Sequence, residues 1–128
     1  LRVLFRMEVR GLEHVKAAGD RVLIVCNHVS FLDPLLVGTF MPFTPGFAIN
    51  VFQAEKWYFR WMEKVFRLYK LDPSKPMTLK ALIQDVRKGA HVAIFPEGRI
   101  STSGGLMKIY DGTGMLIEKT GAVVLPVR

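Results

Sequence analysis

Hydrophobic positions along the chain fall into short solid runs separated by segments with helical spacing. Residues 21–26 read Arg-Val-Leu-Ile-Val-Cys, a β-branched run without polar alternation, which predicts a strand buried on both faces. Residues 47–52, 91–95 and 122–127 have the same character, and a shorter strand is expected at 69–71. Between these runs the period changes. Leu79, Leu82, Ile83 and Val86 share one face of a helix predicted over 77–88, with Gly89 as its C-terminal cap. Further helices are expected at 55–69, at 110–119, and from Ser30 to about Met41. In the last of these, Ser30 and Asp33 are spaced as a capping box, Ser30 at the N-cap and Asp33 at N3, and Pro34 falls in the first turn, where proline is tolerated. The 21 residues from Pro34 to Ala54 carry no charge, a length that could span a bilayer, but Pro34, Gly38, Pro42, Pro45 and Gly46 interrupt any helix. A buried helix, a turn and a buried strand are expected there instead. Alternation of strand and helix predicts an α/β domain with a largely parallel (mixed) sheet flanked by helices, one domain over residues 1–128.

Composition narrows the class. The chain has 128 residues, 50% of them hydrophobic, and Lys+Arg 18 against Asp+Glu 11 gives a net charge of +7. Mean hydropathy is +0.24, too apolar for a disordered chain. Cys26 is the sole cysteine, which excludes a disulfide scaffold and suits a reducing compartment. With His14, His28 and His91 it forms no zinc-ligand spacing, so no metal is expected. The positive charge admits a nucleic acid or an anionic membrane as partner. Apolar excess favours the membrane, and no helix-turn-helix, aromatic RNA-binding or zinc pattern speaks for nucleic acid. No signal peptide is visible, the first residue is Leu1, and the last follows an apolar run directly, so the chain reads as a piece of a longer protein.

In parallel sheets the chemistry sits in the loops after the strands. Two such loops carry candidate residues. In the first, Asn27 to Asp33, Asp33 is placed to accept from one nitrogen of His28, fixing its tautomer and leaving the other nitrogen to take a proton from a hydroxyl. The alternative is that Asp33 only caps a helix. No protein nucleophile accompanies the pair: Ser30 reads as the cap and lacks a Gly-x-Ser-x-Gly elbow, so the substrate would bring the attacking hydroxyl. The second loop, Phe95 to Ser101, reads as an anion site, with Arg99 as a planar fork, Gly98 for close backbone approach, and Ser101 and Lys108 adding a hydroxyl and a charge. Glu97 would accept from a substrate hydroxyl or hold Arg99; a polar connecting loop is the plain alternative.

If residues 55–69 are helical, Lys56, Arg60, Lys64 and Arg67 fall within about 80° of one another, with Trp57, Tyr58, Trp61, Met62, Val65 and Leu68 around much of the rest. Such a helix either lies in a bilayer interface or packs on the sheet.

Taken together these residues resemble the glycerolipid acyltransferases. Asn27, His28 and Asp33 match their Asn-His-x4-Asp motif, Phe95 to Arg99 their Phe-Pro-Glu-Gly…Arg motif, and residues 123–127 their apolar run ending in proline. More narrowly, residues 95–112, Trp57-Tyr58-x-Arg60-Trp61 and Leu71-Asp72-Pro73 look like the N-terminal acyltransferase domain of bacterial bifunctional proteins that join 2-acylglycerophosphoethanolamine acyltransferase to an acyl-carrier-protein synthetase. The resemblance implies a glycerol-3-phosphate acyltransferase-like fold, His28 as general base and Asp33 as its partner. It implies that Glu97, Gly98 and Arg99 bind the acceptor, a lysophospholipid, to which Ser101 and Lys108 of the anion site are added as candidate binding residues, and that the donor is acyl-ACP or acyl-CoA with no further cofactor. It also implies an acyl carrier protein and a membrane surface as partners, an attached synthetase domain outside this chain, and a location on the cytoplasmic face of the bacterial inner membrane. Two departures matter. Gly98 meets Arg99 without the usual intervening threonine, and Asp72 is followed by Pro73 where an arginine is usual. The missing arginine argues for a phosphodiester acceptor and against a phosphate monoester such as 1-acylglycerol-3-phosphate. A non-catalytic membrane-binding module is the rival from another class.

Overall fold

A computed structural model describes residues 6–128, apart from the side chain of Tyr58. Its strands are β1 (Val22–Cys26), β2 (Gly46–Asn50), β3 (Leu68–Leu71), β4 (Val92–Ile94) and β5 (Val123–Val127). Its helices are α1 (Leu12–Ala17), α2 (Asp33–Phe40), α3 (Val51–Ala54), α4 (Met62–Val65), α5 (Pro76–Arg87) and α6 (Asp111–Thr120), with a 3-10 turn at Trp57–Phe59. The strands form one sheet in the order β3-β2-β4-β1-β5. Every pairing among the described residues is parallel, so the expected mixed character is absent.

The β-branched run of β1 lies second from one edge, and Val22, Leu23 and Ile24 are fully buried. Alternation along β1 divides the core in two. Val22, Ile24 and Cys26 join Phe47, Ala93 and Leu125 on one face, under Val15, Val37, Met62 and Phe66. Leu23 joins Val92 and Ile94 on the other, under Leu82 and Val86 of α5 and Leu116 of α6. Two-sided cover is what an all-parallel sheet requires, because its crossovers lay helices on the faces. The uncharged stretch 34–54 resolves into α2, a turn, β2 and α3; among the described residues no helix is long and apolar enough to cross a membrane.

Residues 55–69 are not one helix. The 3-10 turn and α4 take residues 57–65, and Phe66 is already extended, at φ −124° and ψ 149°. Sheet pairing outcompetes helix propensity here. Phe47 N–H donates to Arg67 O at 2.8 Å and β3 runs alongside β2, so residues from 67 onward belong to the sheet. The strand expected over 47–52 stops at Asn50, whose side chain accepts from Phe52 N–H at 2.9 Å and caps α3. The expected capping box forms in part: Asp33 accepts from Ser30 N–H at 2.8 Å, while Ser30 Oγ accepts from Leu32 N–H, and the helix proper opens at Asp33. Helix α1, entered through Gly11 at φ +80°, has no counterpart in the expected elements.

Candidate active site

Strands β1 and β4 are neighbours, with Val25 opposite Ile94, so their C-terminal ends deliver loop 27–33 and the loop after Ile94 to one place. There His28 Nδ1 and Asp33 Oδ2 lie 2.9 Å apart. The same carboxylate oxygen accepts from the backbone N–H groups of Val29, at 2.7 Å, and Ser30, at 2.8 Å. Three bonds on one oxygen pin the carboxylate. Since Oδ2 acts as an acceptor toward both amides, Nδ1 is assigned as a donor to it as well, which leaves Nε2 as the acceptor nitrogen of the neutral imidazole.

The second loop holds the same histidine from behind. The imidazole stacks on Phe95, centroids 4.2 Å apart and planes at 25°. His28 N–H donates to Glu97 Oε1 at 2.9 Å, and His28 O accepts from Ser101 N–H at 2.6 Å. Glu97 Oε2 accepts from Met107 N–H at 2.9 Å, and the residue is 1% exposed. Phe95 O accepts from Gly98 N–H at 3.0 Å in a tight turn that puts Gly98 at φ +65°, a conformation open to glycine without strain.

A cavity of about 660 Å³ opens in front of this pair. His28, Phe31 and Pro34 line it from the first loop, and Gly98 and Arg99 from the second. Ile49, Leu71, Leu79 and Met115 give it apolar walls, and its charged lining residues are Lys56, Asp72 and Arg99. The residues singled out in the sequence therefore separate. His28, Gly98 and Arg99 face the cavity together, with Asp33 bonded behind the histidine. Glu97 and Ser101 do not line it: both are buried and bonded within the protein, Ser101 Oγ donating to Gly105 O at 2.8 Å. Lys108 is not among the lining residues either, and its ammonium lies 6.0 Å from the Tyr110 ring centroid. The hold of Glu97 on the His28 backbone was not foreseen. An acid beside an arginine suggests an ion pair, and only the fold brings a distant amide to it instead.

Burial, and then the Asp33 charge, push the Cys26 thiol up to about 12, so it stays protonated and inert. His91 lies at the other end of its strand, stacked on Phe43 at 3.9 Å, and His14 is exposed beside Glu13. Asp72, where the departure from the family pattern falls, is held below the usual carboxylate range by the Ser74 hydroxyl and then the Ser74 N–H, and so stays ionised. The basic stripe expected on residues 55–69 is dispersed: Lys56 turns to the cavity, while Arg67 pairs with Asp85 at 2.5 Å and covers the Tyr69 ring. Tyr58, part of the same expectation, has its side chain outside the described residues.

Known proteins are similar to this chain in sequence and fold. Residues 6–128 match the family model described as Acyltransferase. The chain is 33% identical over 127 residues to a chloroplastic 1-acyl-sn-glycerol-3-phosphate acyltransferase of Brassica napus, covering 96% of this chain and 37% of that protein. It is 32% identical over 131 residues to the 1-acyl-sn-glycerol-3-phosphate acyltransferase of Pseudomonas aeruginosa, covering 95% of this chain and 48% of that one. Among solved structures, the 1-acyl-sn-glycerophosphate acyltransferase of Thermotoga maritima superposes with a TM-score of 0.66 at 25% identity, over 91% of this chain and 46% of that one. The chain thus spans less than half the length of each of these proteins.

Proposed function

The chain belongs to the acyltransferase family, and from that premise we propose that it moves a fatty acyl group from a thioester to the free glycerol hydroxyl of a lysophospholipid. The observation that carries this is the 2.9 Å bond between His28 Nδ1 and Asp33 Oδ2, with His28 on the wall of an apolar cavity. His28 Nε2 takes the proton of the acceptor hydroxyl as that oxygen attacks the thioester carbonyl carbon. Asp33 stabilises the imidazolium. The C–S bond then breaks, and the imidazolium returns the proton to the departing thiolate. Nothing is attached to the protein at any step, in keeping with a thiol as unreactive as Cys26 and a Ser30 hydroxyl engaged with Leu32 N–H. Arg99, beside Gly98 on the same wall, meets the acceptor phosphate. Glu97, Ser101 and Lys108, expected from the sequence to touch the acceptor, have the other surroundings described above.

For the acceptor headgroup, a phosphodiester such as 2-acylglycerophosphoethanolamine is favoured by Asp72 and Pro73 on the cavity wall. An ionised Asp72 suits an ammonium headgroup and repels a doubly charged phosphate monoester. A second reading, 1-acylglycerol-3-phosphate as acceptor, is favoured by the names of the relatives, which are acyltransferases of that compound. The donor is acyl-ACP or acyl-CoA; the net charge of +7 suits an acidic carrier protein. The acceptor sits in a bilayer, so the working partner is a membrane surface, on the cytoplasmic face of the bacterial inner membrane. In a bifunctional protein an attached synthetase domain supplies the donor.

A thiol-release assay with a panel of lysolipids and both donors tests this. Acceptor-dependent release is expected, faster with lysophosphatidylethanolamine than with lysophosphatidic acid. Release without any acceptor would mean a hydrolase, and a much faster reaction with lysophosphatidic acid would hand the headgroup to the second reading.

A further inference from the structure

We propose that Glu97 is a positioning residue that holds the backbone of His28, and so sets where the imidazole stands, rather than a group that binds the acceptor. The proposal rests on His28 being the base. Glu97 is 1% exposed and each of its two oxygens has its own donor, His28 N–H on one and Met107 N–H on the other, each at 2.9 Å. Burying a carboxylate is costly unless its charge is met by donors. Here backbone amides separated from it by 69 and 10 residues meet it, so its cost is offset only when loop 27–33 and the segment at Met107 are both in place.

The residue type follows from the geometry. Two N–H groups, one on each oxygen, need a side chain with two acceptor oxygens, which a carboxylate supplies. Glutamine would turn its NH2 against one of the amides. The effect on His28 is direct. Its N–H is held by Glu97, its carbonyl by Ser101 N–H at 2.6 Å, and its ring by Phe95, so three attachments come from the second loop and only the Nδ1 bond from the first.

Glu97→Gln and Glu97→Ala, assayed for transfer in the full chain, separate positioning from binding. Because a misplacement of about 1 Å costs roughly 10²-fold, kcat is expected to fall about 10²-fold in Glu97→Ala and less in Glu97→Gln, with acceptor KM within about threefold of wild type. A rise in acceptor KM with kcat intact would assign Glu97 to binding and overturn the proposal, and so would unchanged kinetics. Loss of folded protein would also lower kcat, so a spectroscopic reading accompanies the kinetics. The downfield proton of His28 Nδ1–H···Asp33 is expected in the wild type and should shift or broaden in Glu97→Gln below its melting temperature; an unmoved signal there would count against the clamp. Should neither variant fold, hydrogen exchange in the wild type decides: the His28 and Met107 amides are expected to be protected, and free exchange at both would overturn the proposal. If the wild type transfers no acyl group at all, the proposed function fails, while the amide and Nδ1-proton readings still judge the clamp.

Discussion

Two regions flank the same cavity and are built on opposite rules. The strand-end loops around His28 direct their polar groups inward: Asp33 and Glu97 between them accept five hydrogen bonds, four of them from backbone N–H groups. The segment from Val51 to Arg67 does the reverse. It is anchored by Ala54, Met62 and Phe66, all buried, while Phe52 (68% exposed), Trp57 (80%), Trp61 and Val65 face outward. Yet Gln53, Lys56, Phe59 and Met62 line the cavity too. Proton transfer depends on geometry held to a fraction of an ångström, which directional bonds supply. An apolar rim needs no such precision, and short turns held by a few buried side chains suffice.

The largest effect should come from the directional side. His28→Ala removes the proposed base, and transfer is expected to fall by about 10²–10⁴-fold in the thiol-release assay. A folded His28→Ala protein turning over at nearly the wild-type rate would break the contrast at its centre, since the hydrogen bonds around that residue would then serve only the fold.

Next comes the seam between the regions. Phe66 closes the outer segment, and its ring lies against Gly38 of α2, the helix that Asp33 opens; a Cβ on Gly38 would overlap that ring. Gly38→Ala is expected to destabilise the protein by about 1–3 kcal/mol through overpacking, read as a lower denaturant midpoint at unchanged slope. No loss would show that the outer segment shifts as freely as its short elements allow.

The same contrast explains what the sequence made legible. The first region is readable because its partners are close: His28 and Asp33 lie five positions apart and Ser30 and Asp33 three, although the N-cap expected at Ser30 falls at Leu32. The strands are readable because a doubly covered sheet demands solid apolar runs, and Val22, Leu23 and Ile24 supply one. Glu97 was legible as an odd acid but not as a clamp, because its partners are main-chain groups that any residue carries and that only the pairing of β1 with β4 brings near. The outer segment misled for a related reason. Its charges and aromatics fit a helical wheel, but β2 takes Arg67 and Leu68 as a sheet neighbour, and Lys56 adopts an extended ψ of 140° before the turn at Trp57. Long-range pairing overrode a local period.

The smallest effect on the fold belongs to the exposed rim. Trp57→Ala deletes a side chain that is 80% exposed, so unfolding free energy should change by no more than about 0.5 kcal/mol. If this rim meets the bilayer, the indole is worth more there than in the free protein. Burying part of one ring face favours binding by about 1 kcal/mol, so retention on vesicles containing phosphatidylglycerol should weaken roughly fivefold. Lys56 and Arg60 beside it add an attraction that fades with salt, whereas the indole contribution should persist at high ionic strength. Sedimentation with vesicles at low and high salt separates the two. A Trp57→Ala protein that binds as tightly as wild type at high salt would leave the outward aromatics without a membrane role, and a large loss of stability would mean that this segment is held by more than its buried side chains.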